Sequence, residues 1–156
     1  MIPFVREIEF EYGKVDQVSP LIRRVIANNP GPFTYTGTGT YIVGKGDGVA
    51  VIDPGPDMAD HLQAILDATK GERISHIMIT HHHTDHSPLA RALAEATGAV
   101  VYGCEVKAPI VEGAVRTEAG YDNFKPDVPF CGGGTVSGHG WTLEAIATPG
   151  HTSNHI

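Results

Sequence analysis

The run Thr80-His81-His82-His83-Thr84-Asp85-His86 places four candidate metal ligands, His81, His83, Asp85 and His86, within six residues. Imidazole and carboxylate are good ligands for zinc and similar divalent ions. His81 and His83 are two apart, so in an extended segment both side chains leave the same side of the backbone. Asp85 and His86 fall where the chain turns towards a helix and can face a different point. One short loop can therefore serve two adjacent metals. His82 points away from its neighbours, and a packing or supporting role is expected for it. A second segment, Pro149-Gly150-His151, has a histidine after a tight turn, from where it can approach the first cluster. Both segments are internal and interrupted, unlike a purification tag. His61, His76 and His139 have no spacing argument and read as ordinary. His155 is left open.

These residues need elements that hold them. Residues 74–80 form a short apolar run, a buried strand that delivers the chain into the histidines. Ser87-Pro88 is an N-cap followed by proline at the first helical position. Leu89, Leu93 and Ala96 continue an apolar face, and Gly98 ends it. Upstream, strands 40–44 and 49–53 flank Lys45-Gly46-Asp47-Gly48 and form a hairpin. Residues 57–70 carry an apolar stripe at Met58, Leu62, Ile65 and Leu66 and read as a helix. A strand over 99–102 follows the second helix. Strand, helix, strand, helix, strand is α/β order, whose ligand sites form beyond the C-terminal strand ends. Residues 4–12 alternate partly and read as a strand. Residues 104–130 read as loop with some helix, and Cys131-Gly132-Gly133-Gly134 as a flexible link. Residues 141–148 alternate as a strand that ends at His151.

The chain has 156 residues, enough for one domain or part of one, and ordinary globular composition with 41% hydrophobic and 19% charged residues. A net charge of -7 gives no electrostatic reason to expect a nucleic-acid or anionic-membrane surface. No apolar stretch approaches a membrane helix, and the N-terminus carries charges where a signal peptide needs an apolar run. Two cysteines without C-x-x-C spacing make a reduced, cytoplasmic setting the default. The sequence does not decide whether Cys104 and Cys131 pair.

Three segments together resemble the metallo-β-lactamase superfamily: Thr80–His86 as its T-H-x-H-x-D-H motif, Thr148-Pro149-Gly150-His151-Thr152, and Val51-Ile52-Asp53-Pro54-Gly55. Asn29-Pro30-Gly31-Pro32-Phe33 and Gly39-Thr40-Tyr41-Ile42-Val43 are similar to the branch of β-lactamase-like protein 2, an endoribonuclease-type branch. The resemblance implies an α/β (α+β) fold, the four-layer αββα sandwich. It implies that His81, His83 and His151 bind a first zinc, that Asp85 and His86 serve a second, and that Asp53 supports the loop by hydrogen bonds. It also implies a zinc-dependent hydrolase whose metal-activated water attacks an ester, thioester, amide or phosphodiester bond, with Asp85 orienting the nucleophile and carrying its proton.

The family pattern continues past residue 156 with a bridging Asp and a further His. Residues 1–156 are therefore expected to be a partial domain, truncated after the first half of the sandwich and the start of the second. One occupied zinc site at most and impaired activity are expected, with a homodimer covering the exposed sheet edges. Substrates are expected among small molecules, with RNA an alternative suggested by the upstream resemblance. Two competing readings are a non-catalytic metal- or partner-binding module of the same fold, and a non-heme iron protein of the superfamily.

Overall fold

A computed structural model describes residues 8–105 and 124–156. Among them a seven-stranded sheet runs in chain order, β1 Val15–Ser19, β2 Ile22–Ile26, β3 Gly39–Val43, β4 Asp47–Ile52, β5 Arg73–Ile79, β6 Val100–Gly103 and β7 Val128–Pro129. β1 to β4 pair antiparallel, and β4 to β7 pair parallel. The parallel half is built by two crossover helices, α1 Ala59–Ala68 and α2 Leu89–Thr97. A separate hairpin, β8 Thr135–Gly138 and β9 Trp141–Glu144, makes a second sheet.

The two faces of the large sheet follow the period of two along its strands. Val49, Val51, Ile77, Ile79 and Val101 face the helices and pack with Ile65, Leu89 and Leu93. Ala50, Met78 and Tyr102 face the other way, with Phe130 and Trp141. The described residues thus form the helix layer, the first sheet and the opening hairpin of the second sheet of the αββα sandwich. No helix among them is long and apolar enough to cross a membrane.

Trp141 joins the two sheets. It is buried, its Nε1 donates to the Gly48 carbonyl at 2.8 Å, and its ring meets His76 edge-on at 5.2 Å. The ring needs bare backbone on both sides. A Cβ at Gly44 would lie 2.4 Å from Trp141 Cδ1, and one at Gly138 would lie 2.2 Å from Cζ2.

Several expectations are corrected. Residues 8–12 form no strand, because their alternation meets no pairing edge; residues 4–7 of that expected strand lie outside the described residues. The first strands are β1 and β2, hidden in the sequence by the adjacent polar pairs Asp16-Gln17 and Arg23-Arg24. Ser87 does not cap α2: its hydroxyl donates back to the His83 carbonyl at 3.2 Å, and Pro88 holds the cap position. β9 stops at Glu144 because the backbone of Ala145 bonds to Gly133 and Gly134 instead of a strand. Those same bonds hold the segment expected as a flexible link. Of the expected loop over 104–130, residues 106–123 lie outside the described residues. The default of reduced thiols also gives way, since Cys104 and Cys131 are joined by a disulfide. The ends of β6 and of the chain leaving β7 meet there with Cα atoms 4.8 Å apart, within bridging range.

Candidate metal centre

β5 ends at Ile79, and the histidine run begins two residues later, at the C-terminal edge of the parallel strands. The turn is tight: the His83 carbonyl accepts the backbone N–H groups of His86 and Ser87, each at 3.1 Å. This places His81 and His83 inward and buried. His151 arrives from the segment after β9. That segment is closed by the Thr148 N–H bonding the His155 carbonyl at 3.0 Å, and by Thr148 Oγ1 against His155 Nδ1 at 2.7 Å. The Ile156 N–H then bonds the Thr80 carbonyl at 3.0 Å, which ties the two loops together.

His81, His83 and His151 converge, with one ring nitrogen from each lying within 4.8 Å of the others. His155 stands beside them, its ring 4.9 Å from that of His81. His82 points elsewhere, as expected. Its Nδ1 lies 2.9 Å from Asn154 Oδ1, while Asn154 Nδ2 donates to the Cys104 carbonyl at 2.8 Å. Asn154 was not marked by any pattern in the sequence; only its place in the fold makes it the clamp between the two loops.

Asp53 organises the loop. Its Oδ1 accepts the Thr80 N–H at 2.8 Å, and its Oδ2 accepts the Thr80 hydroxyl at 2.7 Å. A carboxylate accepts and does not donate, so the single Thr80 hydroxyl proton points to Asp53. Thr80 Oγ1 therefore accepts from His81 Nδ1, 2.9 Å away. That fixes the proton of His81 on Nδ1 and leaves a lone pair on Nε2. Nε2 is buried and has no hydrogen-bond partner among the described residues. A buried polar atom left this way costs free energy unless something meets it. Burial, and then the neighbouring histidines, push the His81 pKa down to about 3, so the ring is neutral at pH 7. A neutral imidazole with its other nitrogen held by an oxygen is the form a metal binds. The residues present fit a metal ion.

Asp85 and His86 lie beside that trio, with the His86 ring 4.2 Å from that of His81. His86 Nδ1 lies 3.0 Å from Asp53 Oδ2, and its Nε2 lies 3.3 Å from Asp85 Oδ2. Burial opposes charge on His86, but the Asp53 and Asp85 contacts outweigh it and raise the pKa to about 10. For Asp85 burial likewise works against ionisation, and the His86 contacts more than offset it, so its carboxyl titrates below the usual range. The pair is an imidazolium beside a carboxylate.

A mixed α/β sheet with three histidines gathered at the ends of its parallel strands defines a metal-site architecture. The metallo-beta-lactamase superfamily model matches residues 36–156, and the chain belongs to that superfamily. It is 34% identical over 146 residues to an atrochrysone carboxyl ACP thioesterase of Cryptosporiopsis sp., covering 91% of this chain and 40% of that protein. It is 32% identical to the beta-lactamase-like protein 2 homolog of Caenorhabditis elegans, covering 91% of this chain and 46% of that protein. Among solved structures, a Cronobacter sakazakii metallo-beta-lactamase matches with a TM-score of 0.69 at 20% identity, over 91% of this chain and 57% of that one. A subclass B3 metallo-beta-lactamase of Bradyrhizobium japonicum gives 0.65 at 24% identity, over 90% and 54%. The chain therefore spans less than two thirds of the length of each of these proteins.

Proposed function

We propose that His81, His83 and His151 bind one zinc ion, and that this centre serves a hydrolase acting on acyl thioesters. One observation carries the reading: three histidine nitrogens converge within 4.8 Å, and the buried Nε2 of His81 has no hydrogen-bond partner among the described residues. Three protein nitrogens with a position left open is the donor set of a catalytic zinc. Superfamily membership supports a metal-dependent hydrolase. The thioester class is favoured because several relatives of about 30% identity or more are named thioesterases. The net charge of -7 gives an RNA substrate no electrostatic support.

When bound, zinc lowers the pKa of a coordinated water to about 7 and so supplies a nucleophile at neutral pH. The protein's own part is positional. Asp53 and Thr80 set the tautomer and direction of His81. Asp85, ionised and partly exposed beside the cluster, is placed to orient a water and take its proton. His86 in its protonated form bridges Asp53 and Asp85 and offsets part of their charge.

Incubating the zinc-loaded chain with a short acyl-pantetheine thioester and with single-stranded RNA tests the substrate class. Thioester turnover that a chelator abolishes is the expected result. Cleavage of RNA in place of thioester would overturn the assignment. Zinc bound with neither substrate consumed would favour the non-catalytic module.

A further inference from the structure

We propose that His61 is a positioning residue for the metal centre, acting through Thr40 and Asp53 although it lies on the far side of both. The proposal rests on the metal-site reading above. His61 reads in the sequence as an ordinary core histidine, and on α1 it stands one turn before the buried Ile65. Its polar contacts lead elsewhere.

His61 Nε2 lies 2.8 Å from Thr40 Oγ1, and that hydroxyl donates to the Asp53 carbonyl at 2.7 Å. A carbonyl only accepts, so the one hydroxyl proton of Thr40 belongs to that bond. Thr40 must then accept from His61, which fixes the proton of His61 on Nε2. Burial lowers the pKa of His61 and keeps this neutral form at pH 7. The direction of donation is now set along the whole path. His61 donates to Thr40, and Thr40 donates to the Asp53 backbone. On the far side, His81 donates to Thr80, and Thr80 donates to the Asp53 carboxylate. Asp53 receives from both sides.

Asp53 needs that support. It has φ +48, a left-handed conformation uncommon outside glycine, although aspartate tolerates it better than most residues. Its N–H is held by the Met78 carbonyl at 2.9 Å. Its carbonyl is held by Thr40, whose rotamer His61 locks. A second path runs through Gly55. The His61 ring lies so close that a Cβ on Gly55 would stand 3.3 Å from Cδ2. The Gly55 N–H bonds the His86 carbonyl at 3.0 Å, and its own carbonyl accepts from Leu89 at 3.1 Å. One buried imidazole thus braces both the residue that aims His81 and the backbone that carries His86.

The test compares the parent chain with His61→Leu, His61→Gln and Thr40→Val. Gln keeps an N–H near the place of Nε2; Leu keeps bulk only. In the metal-free chains, amide hydrogen exchange is followed at Thr80 and Gly55, with Ile77 in the middle of β5 as reference. Cobalt(II) affinity and visible spectrum are then measured. His61→Leu and Thr40→Val are expected to exchange Thr80 faster and to bind cobalt about 10-fold more weakly, as loss of an outer partner does. Their spectra should change, the Ile77 amide should not, and His61→Gln should recover most of the loss. Parent-like affinity, spectrum and Thr80 exchange in both variants would overturn the proposal. So would equal loss in His61→Gln and His61→Leu, since volume alone would then explain the residue. If His61→Leu does not fold, Thr40→Val carries the comparison. A parent chain that binds no cobalt refutes the metal-site reading separately, and the metal-free exchange data then decide whether His61 sets the geometry of Asp53.

Discussion

Replacing His81 by Leu is expected to abolish tight zinc binding while leaving the metal-free fold about as stable as the parent. The two effects have one cause. In the metal-free protein His81 is buried with its Nε2 unmatched, a desolvation cost of about 1–3 kcal/mol. Leu fills a similar volume without that cost, keeps apolar contact with the neighbouring rings and gives up the hydrogen bond to Thr80. Metal-free stability should therefore change by no more than about 1 kcal/mol, in either direction. Zinc affinity should fall by more than about 100-fold, beyond the loss that an outer-partner change produces. Stabilisation by added zinc, which follows its concentration relative to Kd, should vanish. Chemical unfolding with and without zinc measures both quantities. A His81→Leu chain that zinc still stabilises like the parent would contradict the site, and one that is badly destabilised without metal would contradict the argument from the unmatched nitrogen.

The second large effect is on the joint between the sheets. Trp141→Ala is expected to lower the unfolding free energy by about 3–5 kcal/mol, as for other buried aromatic truncations. The loss combines a cavity among Val43, Met78 and Phe130 with an unpaired Gly48 carbonyl. It should also weaken zinc binding, because β9 begins at Trp141 and the same segment carries on to His151. An unfolding midpoint within error of the parent, with unchanged zinc affinity, would show that the hairpin does not position His151.

The metal loop was legible because its signal is local. Type and spacing alone put His81 and His83 on one side, and the short apolar run before them named the strand. The β3–β4 hairpin and both helices followed from turn residues and apolar period. The strands β1 and β2 were not legible, since two adjacent polar residues in each mask the alternation and only the partner strand reveals the pairing. The contacts of His61, Thr40 and Asn154 were not legible for the same reason. Each contact is made across a long stretch of chain, from His61 to Thr40 and from Asn154 to His82. The roles of Asp85 and His86 also depended on the fold. The motif reads them as ligands of a second metal, and the fold adds that they also contact each other and Asp53. The cysteine pair showed the limit of composition, because two thiols 27 residues apart give no sign of being neighbours.

The central claim is a single ion held by three histidines. Zinc content of the purified chain, combined with X-ray absorption at the zinc edge, tests it most directly. The account predicts one zinc per chain with three imidazole nitrogens at about 2.0–2.1 Å, and no second tightly held ion while His86 stays paired with Asp53 and Asp85. A chain that retains no zinc, that holds it with fewer than three imidazoles, or that binds two ions tightly would contradict it.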